Sequence, residues 1–138
     1  MSFMKFTFSL LAGLVLLAGC SKKDDVVAAT NNSITGNWRW VSTDGGIANN
    51  IHETPASTGK EVLLNINADG TYSYKINGVP ASAGTYSFVT RQCIHTGSQK
   101  TLLQMSGDND MMIESLGGTS VIFSDEYYDG VNSRYERY

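Results

Sequence analysis

Few residues in this chain of 138 could carry out chemistry. There are two cysteines, Cys20 and Cys93, and two histidines, His52 and His95. In an extended segment the spacing Cys93-x-His95 sets both side chains on one face, as a metal would require. A structural zinc site needs four ligands, usually two such pairs, and no second pair is present. Asp108-Asn109-Asp110 gathers oxygen ligands, yet it lacks the glycine and the distal glutamate of a calcium loop. A hairpin turn accounts for it. Asp125, Glu126 and Asp129 form an acidic rim beside a turn, where carboxylates are usually solvated. No Gly-x-Ser-x-Gly elbow and no glycine-rich phosphate loop is found. The sequence therefore nominates no catalytic residue, no metal ligand and no cofactor, and the expected role is binding and not an enzyme's.

Cys20 is a different case, because its neighbourhood is a processing signal. Lys5 gives a short positive start, and Phe6 to Leu17 is an apolar run broken only by Thr7, Ser9 and Gly13. Such a run matches a signal segment and is shorter than the ~20 residues of a spanning helix. Small residues Ala18 and Gly19 precede Cys20, and polarity rises at once after it. Leu17-Ala18-Gly19-Cys20 resembles the lipobox of bacterial lipoproteins. That resemblance implies cleavage before Cys20 and acylation of its thiol with a diacylglyceryl group, often with a third chain. Two or more chains hold a protein stably on a membrane, whereas one is marginal. The expected location is the bacterial cell envelope, anchored by lipid to the outer membrane, with either face open. Residues 1–19 would be the signal peptide and residues 20–33 a tether. The tether is charged at Lys22-Lys23-Asp24-Asp25 and then small and polar, the composition of a flexible linker.

With Cys20 acylated, Cys93 has no partner for an internal disulfide, so the fold must rest on its core. A lone cysteine of this kind is ordinarily a small buried hydrophobe. Net charge is -3. Basic residues are scattered and not clustered, which excludes a nucleic-acid footprint. The length past the tether suits one domain, residues 34–138.

From Ile34 onward the hydrophobic period is two. Val62, Leu64 and Ile66 alternate, as do Tyr72, Tyr74 and Ile76, then Tyr86 and Phe88, then Val121 and Phe123. Each strand thus turns one face inward. Asp69-Gly70, Asn77-Gly78, Gly117-Gly118 and Asp129-Gly130 supply turns that tolerate positive φ. Strands are expected near 36–43, 60–67, 71–77, 84–92, 100–106, 110–116, 119–128 and 132–138. Residues 44–59 and 79–83 are expected as loops, the first with Ile47, Ile51 and His52 able to fold inward as a lid. Eight sequential strands with short links suggest an all-β, eight-stranded, antiparallel up-and-down barrel, since closure removes both sticky edges.

The motifs Gly36-Asn37-Trp38, Asp69-Gly70-Thr71-Tyr72, Gly84-Thr85-Tyr86, Ile113-x-x-Leu116 and Tyr135-Glu136-Arg137 together resemble the lipocalin-like domain of small bacterial lipoproteins. The resemblance covers roughly residues 34–138. It implies that Gly36 opens the barrel, that Trp38 plugs one end and that Arg137 packs across Trp38. It also implies a small, partly apolar ligand at the open end. The candidates are Trp40, Tyr74, Tyr86 and Phe88, with His52 on the lid. Inward aromatics, Trp38, Trp40, Tyr72, Tyr74, Tyr86, Phe88, Phe123 and Tyr135, bury ~150–250 Å² each and compete for that space. The alternative is therefore a filled barrel acting as a surface interaction, inhibitor or accessory module of an envelope protein complex, with Leu63, Ile122 and Tyr127 exposed.

Overall fold

The computed structural model describes residues 34–138. The signal segment, Cys20 and the tether lie outside the described residues. Among the described residues, nine strands form one antiparallel sheet in which β1 (Gly36–Gly45) also pairs with β9 (Val131–Arg137). That pairing runs from Trp38↔Arg137 to Gly45↔Val131 and closes the sheet into a barrel. The wall consists of β1, β3 (Val62–Ile66), β4 (Thr71–Ile76), β5 (Val79–Gln92), β6 (Gln99–Met105), β7 (Met111–Leu116), β8 (Ser120–Ser124) and β9. This is the eight-stranded up-and-down barrel expected from the alternation. The short strand β2 (Ile51–Glu53) is additional. A strand has two edges, and β9 takes one edge of β1. The other is shared by β3, against Gly36–Arg39, and by β2, against Thr43–Gly45.

Local chemistry explains the turns. Asn77 (φ 51°) and Gly78 (φ 78°) are both left-handed, as a two-residue turn matching the strand twist requires. The Asp69 carboxylate accepts from Thr71 N and Thr71 Oγ1, fixing the β3–β4 turn. The long β1–β3 connection is not a plain loop. It holds a 3₁₀ turn (Ile47–Asn49), β2, and the single helical turn α1 (Pro55–Thr58). Thr54 and Ser57 cap α1 reciprocally, with Pro55 at its first position.

Two boundaries differ from expectation. Residues 79–83 are strand, pairing with β4 across a bulge at Tyr74/Lys75. Pro80 is tolerated because β6 joins β5 only from Tyr86 onward, leaving an edge there that needs no donor. The strand expected over 119–128 stops at Ser124. Asp125 Oδ1 then accepts from Val131 N, and Gly130 N donates to Tyr127 O, folding 125–130 into a loop.

The inward faces make one core. Trp38, Trp40, Leu64, Ile66, Tyr72, Leu103, Met105, Val121, Phe123 and Tyr135 are buried in it, and Tyr74, Tyr86, Phe88, Met111 and Ile113 pack against it. A second, smaller core lies outside the wall. Leu102 is the strand neighbour of inward Leu103 and so points outward, yet it is fully buried with Cys93 and Met112.

Candidate functional site

The closed end is built by Trp38 and Arg137. Trp38 is fully buried, and its indole Nε1 donates to Ile34 O at 2.7 Å. The Arg137 guanidinium sits 4.2 Å from the Trp38 ring centroid. Its Nε donates to Gly118 O (2.9 Å) and its Nη1 to Thr35 O (2.8 Å). One side chain thus stitches β9 to the β7–β8 turn and to the entry of β1. Gly36 makes room for it. At φ +136°, a Cβ on Gly36 would lie 2.4 Å from Arg137 Nη1.

Above this plug the barrel is occupied. Tyr72 donates its hydroxyl to Ser106 O (2.8 Å). The Phe123 and Tyr135 rings meet edge to face at 5.7 Å. Trp40 Nε1 donates to Thr43 Oγ1 (2.9 Å), which bonds Ser133 Oγ in turn. The Tyr74 hydroxyl reaches Met111 Sδ at 3.6 Å and interacts with Tyr135. Burial pushes the Tyr135 phenol up to about 12, with Tyr74 acting against this and the Asp108 charge adding to it. Tyr74 is raised too, first by burial. Both hydroxyls remain neutral donors across physiological pH. What stays open at this end is a recess of about 170 Å³ between Asp108, Met111, Phe123, Val131, Ser133 and Tyr135. That is room for about five waters at ~30 Å³ each, and below the ~300 Å³ at which ligand pockets usually begin.

The candidate ligand residues do not converge. Trp40 and Tyr74 are outside the lining of the recess and reach it only through other side chains, Tyr74 through Met111 and Trp40 through Thr43 and Ser133. Tyr86 donates to Asn67 O (2.7 Å), in the β3–β4 turn, with Phe88 edge-on to it at 5.7 Å. His52 is exposed on β2, where Nδ1 bonds Asp44 Oδ1 at 2.9 Å. That bond raises the His52 pKa and lowers the Asp44 pKa. Ile47 is exposed and does not fold inward. The expected lid is thus pinned along the rim of β1 and does not cover the recess. Cys93 and His95 share no strand face because both stand in the loop after β5, Cys93 buried and His95 exposed.

A larger concavity lies on the outer face, where the sequence offered the Cys93-x-His95 pair, the acidic rim at Asp125 and an exposed Ile122 but no pocket. The β6–β7 ladder has only two register pairs, Leu102↔Met112 and Leu103↔Met111. Beyond them Lys100 Nζ bonds Glu114 Oε2 across the seam, and Glu114 Oε1 accepts from Ser124 Oγ (2.9 Å). Burial raises the Glu114 pKa, but the bonds from Lys100 and Ser124 outweigh it and the carboxyl is held low; Lys100 is raised by the same contact. Two loops rise around this seam. The β5–β6 loop is footed by buried Cys93, and Ile94 N donates to Glu126 Oε2 in the β8–β9 loop (3.4 Å). His95 meets the Tyr128 ring edge-on at 6.4 Å. Between them is a cleft of about 520 Å³, lined among others by His95, Lys100, Glu114, Ile122, Asp125 and Tyr128. The legible signal was the doublets Leu102-Leu103 and Met111-Met112, which put apolar side chains on both faces of two neighbouring strands.

A scan against protein-family models, a search of curated proteins and a search of solved structures each find no match to this chain.

Proposed function

We propose that the protein is a lipid-anchored, lipocalin-like barrel of the bacterial envelope that binds through its outer face, its interior serving as a packed core. The observation that carries this reading is the contrast between the interior recess and the outer cleft. Aromatic rings fill the barrel down to a recess of about 170 Å³, while the outer cleft measures about 520 Å³. Ligand sites usually span ~300–1,000 Å³, so the outer face offers the usable volume. The anchor rests on Leu17-Ala18-Gly19-Cys20 and the apolar run before it. A binding role also agrees with the residues at hand around the cleft, which offer hydrogen bonds and rings.

The second reading is a small, partly apolar ligand at the barrel mouth. Met111, Phe123 and Tyr135 around the recess favour it, with the Tyr135 hydroxyl as an orienting group. Native mass spectrometry of the full chain extracted from its own host separates the two. The packed-core reading expects the mass of the acylated chain alone. A retained small molecule, lost when Tyr135→Trp fills the recess, supports the mouth instead. Cys20→Ser should move the protein from the membrane to the soluble fraction, and unchanged membrane residence would contradict the anchor.

A further inference from the structure

We infer that the cleft between the β5–β6 and β8–β9 loops binds a small organic cation, an ammonium or guanidinium group on a short apolar body. The inference rests on the outer-face reading and adds to it the class of ligand.

The cleft is held open by specific contacts. Cys93 anchors one loop in the outer core, Ile94 N ties it to Glu126, and the His95–Tyr128 ring contact joins the two rims. The opposite loop is fixed from behind, since Gly46 N donates to Gly130 O and Val131 N to Asp125 Oδ1. The walls are therefore set before any ligand arrives, which lowers the cost of ordering on binding.

Charge decides the ligand's sign. The lining holds one lysine and no arginine, and that lysine, Lys100, is engaged by Glu114. Both oxygens of Glu114 are in use, on Lys100 and Ser124. Asp125 in the lining and Glu126 at the loop junction then leave an excess of negative charge. Among the described residues, Glu126 Oε1 is buried without a hydrogen-bond partner; Glu126 stands behind the lining, so its charge acts on the cleft through the field and not by contact. An anionic ligand would enter against this field, and a cation with it.

The walls decide the rest. Tyr128 lies at the cleft and is 84% exposed, a ring presented to solvent and not packed away. Aromatic rings attract cations through their negative faces, and the attraction grows as water is excluded. Ile122 and Val131 supply apolar surface for a short body. A metal ion is a poor fit, because no group of three or more metal-ligating side chains gathers among the described residues.

The test is an NMR titration of the full chain in non-ionic detergent micelles with phenethylammonium, phenethyl alcohol and phenylacetate. These probes share a body and differ in charge. The inference expects phenethylammonium to shift amides of 93–98 and 125–132, with the alcohol weaker and phenylacetate without effect. Tyr128→Ala should weaken binding about two- to fivefold. Asp125→Asn, which keeps an acceptor for Val131 N and removes the charge from the lining, should weaken it about tenfold or more, with amide dispersion elsewhere unchanged. Equal binding of the alcohol or the carboxylate would overturn it, as would full affinity in Asp125→Asn. An unresponsive, well-dispersed spectrum would overturn the cation site and leave the packed interior standing. Shifts confined to 108–111 and 133–135 would overturn both, by placing the ligand in the barrel mouth.

Discussion

Replacing Arg137 should show how the barrel is locked. Its guanidinium makes two charge-assisted bonds to carbonyls of Gly118 and Thr35 and lies over Trp38. Those groups belong to two chain segments, the entry of β1 and the β7–β8 turn, so that Arg137 on β9 ties three parts of the chain together. Each bond is discounted to about 1 kcal/mol because the side chain is partly exposed, and the ring contact adds about 0.5–1 kcal/mol. Arg137→Ala should therefore cost about 2–3 kcal/mol, a fall in Tm of roughly 10–20 °C for a domain of this size. Arg137→Lys keeps the charge but has no planar fork to reach both carbonyls while covering the ring, so it should lose at least half as much. Thermal unfolding followed by tryptophan fluorescence reads the effect directly, because Trp38 is the ring being uncovered. A lysine variant within about 0.5 kcal/mol of the parent would show that charge alone matters and refute the argument from geometry.

Three further outcomes are expected. Gly84→Ala should destabilise by about 1–3 kcal/mol, since its Cβ would stand 2.5 Å from Ser106 O and 3.1 Å from Tyr72 Cε1; chemical denaturation checks this. His52 should titrate above 6.5 by NMR and return toward it in Asp44→Asn. Its contribution is complete below the unfolded pKa and is lost as pH rises through the folded one, so the β1–β2 rim should loosen on the alkaline side. Lys100→Met should raise the Glu114 pKa, because burial then acts against a single remaining bond from Ser124. The parent loses Glu114's stabilisation as pH falls through its lowered pKa, and the variant should show less of that acid sensitivity in denaturation at pH 3–6, taken as about the carboxylate range.

The wall of the barrel was legible because period-two alternation and paired turn residues are local signals. Asn77-Gly78 and Asp69-Gly70 each needed only their own backbone preferences to be placed. The segment 79–83 was not legible, because Pro80 and small side chains mark a loop unless one knows that the neighbouring edge is unpaired. The outer cleft was hidden for a related reason. Leu102 and Met112 break the inward–outward rule, and only the fold-back of the loop bearing Cys93 shows why they can. The volume of the interior was also beyond composition. Eight inward aromatics could line a pocket or fill one, and the choice depends on ring packing such as Phe123 against Tyr135.

The central claim is a closed barrel with a filled interior, and one NOESY spectrum of the folded chain tests it. The account predicts cross-strand contacts between β1 and β9, Trp40 with Tyr135 and Thr43 with Ser133, together with contacts among the rings of Trp38, Tyr72, Phe123 and Tyr135 and their core neighbours. Missing β1–β9 contacts would mean an open sheet. Intact β1–β9 contacts, but with water cross-peaks to Trp40, Phe123 and Tyr135 in place of contacts to their core neighbours, would mean a hollow barrel. Either result would contradict the account.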